Sequence, residues 1–350
     1  MVNIYGTLGP ACASEKVLAE MFSLGMTGMR LNLSHVTLAE SGDLIGKMKR
    51  AAEKCGVKPQ LLVDLQGPEL RTGTISEPVS LKNGDIVEIC EISENVKAGK
   101  STKIMLPELT LPYLVPGQEV LLDDGKIHLK IVENPVSMPE NRGEEIEKKR
   151  CFAKVLWGGL LKSRKSVALP GAKIYPPTLT KADLENIKIA KEMGVTGVMQ
   201  PFVRDHRDLE CVKKTLQEAG AEDIRLFAKI ENMDGVRKLE ELFPAADEIV
   251  IARGDLGNAV HLWDLPSVQR EISQKCLVTG KPFMVVTQML ASMERNPVPT
   301  RAEVNDIFHA VLDGASSVMV TGETAAGDYP VEVIRYLVNT VRSAEKIIRG

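Results

Sequence analysis

The chain of 350 residues is 44% hydrophobic and 26% charged, with a formal net charge of -3. It can bury a sizeable core in one large domain or two, and it offers no general nucleic-acid surface. Aromatic residues make up 4%, too few for base stacking, and no apolar stretch reaches spanning length, so neither nucleic acid nor membrane is an expected partner. The first residues lack a basic region followed by an apolar run, which predicts no signal peptide and a cytoplasmic protein. The cysteines at 12, 55, 90, 151, 211 and 276 contain no C-x-x-C and predict neither a zinc knuckle nor a disulfide framework.

Asn3–Thr7 reads as a first strand. Ser14 then caps a helix whose Val17, Leu18, Met21 and Phe22 share one face, and Gly25 ends it. Over 28–34 apolar and polar residues alternate, with Arg30, Asn32 and Ser34 on the polar side. Arg30 could hold a phosphate, and Asn32 and Ser34 offer neutral oxygens for a cation. A helix over about 37–55 leads to a strand over 60–65.

After Gly73 the texture changes to short strand-like pieces at 79–81, 86–89, 119–122 and 126–132. Asn83-Gly84-Asp85 and Asp123-Asp124-Gly125 supply turn signals between them. Prolines at 107, 112, 116, 135 and 139 exclude long helices, and Glu140 to Arg150 reads as a charged, solvated edge. Residues 74–160 are therefore predicted to form a small all-β insert.

Helix–strand rhythm then resumes. Helices are predicted from the Thr180-x-x-Asp183 capping box to Met193 and over 206–219, 236–243 and 264–279. Two more run from the Thr300–Glu303 capping box to Leu312 and from Pro330 to about 347. Strands outside the insert fall near residues 4, 30, 62, 197, 228, 250, 285 and 319. Eight alternating units predict an α/β fold, a (β/α)8 TIM barrel over 1–73 and 161–350. A doubly wound sheet is the runner-up, but no G-x-G-x-x-G follows the first strand.

The chemistry gathers at strand ends. The apolar run Leu226-Phe-Ala-Lys-Ile-Glu-Asn232 carries Lys229 and Glu231 two apart, so both point the same way. Ile249-Val-Ile-Ala-Arg-Gly-Asp255 ends in a second carboxylate, between glycines at 254 and 257. One cation and two carboxylates make a divalent-metal and anion site, and Glu plus Asp with phosphate and water would suit magnesium. Taken alone, a K-x-E is a surface ion pair and a GDLG is a turn. The same apolar-then-polar pattern at Asp64, at Thr287-Gln288 and at Glu323 is what points to one shared barrel mouth.

These stretches carry a resemblance. Thr7-Leu-Gly-Pro, Arg30-Leu-Asn-Leu-Ser-His35 and Asp64-Leu-Gln-Gly-Pro-Glu-Leu-Arg-Thr-Gly73 are similar to motifs of the pyruvate kinase family. So are Leu122-Asp-Asp-Gly125, Ser163-Arg-Lys165, Lys229-Ile-Glu-Asn232, Ala252-Arg-Gly-Asp-Leu-Gly257, Thr287-Gln-Met-Leu290, Pro299-Thr-Arg-Ala-Glu303 and Thr321-Gly-Glu-Thr-Ala325. The resemblance covers nearly the whole chain and implies a glycolytic phosphotransferase that moves phosphoryl from phosphoenolpyruvate to ADP, with the insert as a mobile lid.

It implies Mg2+ (or Mn2+) on Glu231 and Asp255, and K+ on Asn32, Ser34, Asp64 and the carbonyl of Leu65. Lys229 would neutralise the phosphoryl group and the enolate, and Thr287 would help relay a proton. Gly254 and Asp255 amides would receive the substrate carboxylate, Arg30 and Arg71 would grip phosphate oxygens, and Asn32 and His35 would join them around nucleotide. Glu69 matches the K+-dependent variant.

The family's C-terminal regulatory domain has no counterpart before Gly350, which implies loss of that control and a homodimer or monomer in place of the tetramer. Val36, Pro201, the 258–261 segment and the 305–309 segment depart from the family pattern. They leave open a metal-dependent enzyme of the pyruvate or oxaloacetate class without nucleotide, or a non-catalytic phosphoenolpyruvate-binding protein.

Overall fold

The computed structural model describes residues 1–92, 102–123, 125–133, 151–172 and 174–349. The expected charged edge at Glu140–Arg150, and Asp124 of the turn motif, lie outside them. The chain divides into two compact units, residues 1–68 with 177–350 and residues 69–176.

The first unit is a closed barrel of eight parallel strands: Asn3–Thr7, Gly28–Asn32, Gln60–Asp64, Gly197–Gln200, Arg225–Ile230, Glu248–Ala252, Phe283–Val286 and Ser317–Met319. Closure pairs the first strand with the last, Asn3 opposite Ser317. Alternation explains the packing. Leu61, Val63, Ile249 and Ile251 point outward into the layer between strands and helices. Tyr5, Leu62, Met199, Phe227, Val250, Met284 and Met319 point inward and fill the barrel as a separate cluster, so there is no pore. No helix among the described residues is long and apolar enough to cross a membrane.

Capping explains the helix starts. Ser14 accepts from the Val17 amide, and both Thr180/Asp183 and Thr300/Glu303 form reciprocal capping boxes. The helix expected from about residue 37 begins only at Gly42. Thr37 and Glu40 instead bond each other's amides, and the Ser41 hydroxyl donates to the Thr37 carbonyl, a local turn that competes with helix. The helix expected over 236–243 is two short pieces, Met233–Arg237 and Leu239–Leu242.

Asp205 caps the helix His206–Glu218 and pairs with Arg207 at 2.6 Å and Lys238 at 3.1 Å. The hydrogen bond from Arg207, helped by Lys238, holds its carboxyl well below the usual carboxylate range. Its contribution is therefore complete above the ordinary value of 3.8 and is lost as pH falls below it. Asp205→Ala should cost about 1–2 kcal/mol at neutral pH, and urea titrations of the two proteins should converge in acid.

In the second unit a six-stranded sheet runs in the order Val167–Ala168, Glu119–Leu122, Ile127–Val132, Cys151–Trp157, Ile86–Glu91 and Lys103–Leu106. The last pair is parallel and the others are antiparallel. An antiparallel pair, Val79–Leu81 with Gly159–Leu161, and a 3-10 turn at Glu108–Tyr113 complete it over its own core. Four strands here, beginning at Lys103, Cys151, Gly159 and Val167, carry no clear signal in the sequence. The unit reaches past 74 and 160 because its two ends zip together. Arg71 bridges Ser166, the Thr72 amide donates to the Lys165 carbonyl, and the Val167 amide donates to the Leu70 carbonyl.

Candidate active site

Strand register brings the charged residues into one place. The second and third barrel strands set Asn32 beside Asp64, and the fifth carries Lys229 to the same end. Asp64, 2% exposed, accepts from Arg30 Nε at 2.8 Å and Nη2 at 2.6 Å, and from Lys229 Nζ at 3.1 Å. Lys229 also pairs with Glu231 at 2.9 Å. The second Glu231 oxygen accepts the Phe202 amide at 2.8 Å, at the end of the fourth strand.

Burial sets the charge states. It pushes the Asp64 carboxyl up, but Lys229 and Arg30 together outweigh it and hold the group below its usual range. Burial likewise pulls the Lys229 ammonium down, and Asp64 and Glu231 overcome that, leaving it firmly charged. Glu231 goes the other way. Desolvation pushes it up to about 7, Lys229 opposes, and the charges of Asp255 and Asp64 add to the rise.

A buried carboxyl raised by a neighbouring carboxylate is what a divalent cation relieves. Among the described residues no group of three or more His, Cys, Asp or Glu gathers to hold a metal alone. The two hard oxygen donors Glu231 and Asp255 would suit an ion such as Mg2+. Asp255 and Gly254 lie in the first turn of the helix Arg253–Ala259.

The expected monovalent-cation ligands gather around the second and third strand ends. The Asn32 side-chain oxygen accepts the Ser34 amide at 3.1 Å, and the Leu33 amide donates to the Asp64 carbonyl at 2.9 Å. Leu65, at the same end, is buried and donates its amide to the Met199 carbonyl. Amide, hydroxyl, carboxylate and carbonyl oxygens are the donor types that a hard cation takes. His35 is exposed beside them. Arg71 belongs to the second unit, where it pairs with Glu69 at 2.6 Å and donates to the Arg164 carbonyl at 2.9 Å.

Thr287 follows the seventh strand with φ 79°, and Gln288 follows it with φ 54°. Left-handed backbone in a β-branched residue costs on the order of 1–3 kcal/mol and persists where surroundings over-determine it. Phe202 shows the same feature, φ 51°, at the fourth strand end. Val36, one of the departures noted in the sequence, is not among the left-handed residues and carries no such strain.

The sequence reading missed Phe202, Arg253 and Asp306. Arg253 stood inside a quoted motif, and Asp306 inside a noted departure. Phe202 acts through its amide, which no side-chain pattern reports.

The family model "Pyruvate kinase, barrel domain" matches residues 1–334. The chain belongs to the pyruvate kinase family. It is 36% identical over 350 residues to "Pyruvate kinase" of Bacillus licheniformis, covering 99% of this chain and 57% of that protein. Against the Geobacillus stearothermophilus protein of the same name, identity is 38% over 334 residues, 95% of this chain and 55% of the relative. Against that of Aeropyrum pernix it is 36% over 345 residues, 99% and 71%. The chain thus spans little more than half the length of the first two relatives. Lys229 and Glu231, Asp255, and Thr287 occupy three consecutive strand ends, the fifth, the sixth with its helix turn, and the seventh.

Proposed function

We propose that this chain transfers phosphoryl from phosphoenolpyruvate to ADP, giving pyruvate and ATP. The observation that carries the reading is a charged, mostly buried Lys229 held between Asp64 and Glu231 at the barrel's strand ends, in a member of this family. The P–O bond to the enol oxygen breaks as a P–O bond to the terminal ADP oxygen forms, and negative charge is left on the enolate. A preorganised ammonium stabilises that charge without reorganising. Arg30, oriented by Asp64, would hold phosphoryl oxygens with its remaining N–H groups. Amides at Gly254 and Asp255 would receive the substrate carboxylate, and the Thr287 hydroxyl, with water, would pass a proton to the methylene carbon.

Mg2+ (or Mn2+) held by Glu231 and Asp255 would supply charge neutralisation for the phosphoryl oxygens. Asn32, Ser34, Asp64 and the Leu65 carbonyl would hold K+. For His35 at the nucleotide, Arg71 at the phosphate and Glu69 in the K+ requirement, support comes from the motifs alone. A cytoplasmic setting belongs to the same proposal.

The test is pyruvate formation from phosphoenolpyruvate with Mg2+, with and without ADP and with Na+ exchanged for K+. ADP-dependent turnover raised by K+ is expected. Tight phosphoenolpyruvate binding without turnover would overturn the reading.

A further inference from the structure

Something must hold Thr287 and Gln288 in their left-handed conformation, and one side chain is placed to do so. Arg253 Nε and Nη2 donate to the Thr287 carbonyl at 3.1 and 2.8 Å. Its Nη1 donates to both oxygens of Asp306, at 2.8 and 2.7 Å, and Nη2 also lies 2.9 Å from Met289 Sδ. The Arg253 side chain is 11% exposed. A planar fork with one edge on a carbonyl and its other arm on a carboxylate has a single orientation. On the next residue, a Cβ built at Gly254 would stand 3.1 Å from Thr287 Cγ2, so the threonine side chain lies directly against the turn that Arg253 begins.

We infer that Arg253 is a positioning residue: it clamps the Thr287 carbonyl, keeps that residue left-handed, and so fixes where the Thr287 hydroxyl stands over the Gly254 turn. Asp306, from the helix Arg301–Leu312, sets the clamp in turn. This deepens the proposed function and rests on the proton-relay role of Thr287. The step served is protonation of the methylene carbon, in which the enolate electron pair forms the C–H bond as the C2–O bond becomes a carbonyl.

In D2O the reverse step is visible as exchange at the pyruvate methyl group, where a C–H bond breaks and a C–D bond forms from solvent. The experiment follows that exchange by NMR with Mg2+, K+ and ATP, beside steady-state kinetics with phosphoenolpyruvate and ADP. Arg253→Gln should slow exchange and kcat by about a hundredfold, the scale of a displacement of about 1 Å, while KM for phosphoenolpyruvate changes little. Arg253→Lys should recover part of the loss, because one ammonium cannot serve carbonyl and carboxylate together. Asp306→Asn should show a smaller loss in the same direction.

A crystal structure of Arg253→Gln should show Thr287 relaxed to negative φ. Thr287→Val separates the two ideas. If it leaves exchange intact, the relay role falls and this inference with it. If it stops exchange while Arg253→Gln stays within about threefold of wild type, the inference alone is overturned. A matching rise in KM with a lowered Tm in Arg253→Lys and Asp306→Asn would mark a merely structural role and overturn it too.

Discussion

Lys229→Met is expected to reduce turnover by about a thousandfold or more, the scale of losing a preorganised charge partner in a closed site. Methionine matches the apolar stem as far as Cε, so the change isolates the ammonium. Its loss leaves Asp64 with Arg30 and Glu231 with the Phe202 amide. Breaking a buried pair costs about 3–5 kcal/mol where nothing compensates, and these remaining partners should hold the loss below that. Mg2+ affinity, read by calorimetry, should change by no more than about tenfold, because Glu231 and Asp255 remain. Turnover and Mg2+ affinity falling by the same factor would show that Lys229 organises the carboxylates rather than the reacting charge.

The second large effect is on the metal. Glu231→Gln should weaken Mg2+ by about a hundredfold or more, since it removes one of two charged ligands and even outer-shell changes reach 10–100-fold. It should also alter the pH dependence of the metal-free protein. The Glu231 carboxyl sits at about 7 against an ordinary 4.5, so across that window the folded chain keeps a proton the unfolded chain has released. Stability therefore falls as pH rises from 4.5 to 7, and the glutamine variant should be flatter over the window in urea titrations. An unchanged slope together with unchanged Mg2+ affinity would mean that Glu231 neither carries that proton nor binds the ion.

Much of the candidate site was legible because its residues sit at strand ends inside distinct motifs. Lys229 and Glu231 share a face by the two-residue period alone. Arg253 was equally visible as a letter and silent as a role. Its partners are the Thr287 carbonyl, 34 positions away, and Asp306, 53 positions away, and no local pattern announces a side chain that binds backbone. The strands of the second unit were harder for a different reason. Short segments such as Gly159–Leu161 and Val167–Ala168 exist only because distant strands pair with them.

From its own letters the chain determined eight strand–helix units, their caps and the polar residues at their ends, because side-chain period and capping act within a few residues. Tertiary structure alone decided which charges meet. Asp64 and Lys229 are 165 positions apart, and their ion pair, with the raised Glu231 beside it, exists only once the barrel closes in one register and water is excluded. Burial then turns ordinary carboxylates and a lysine into groups with distinct charge states, and burial is a property of the closed barrel rather than of any segment.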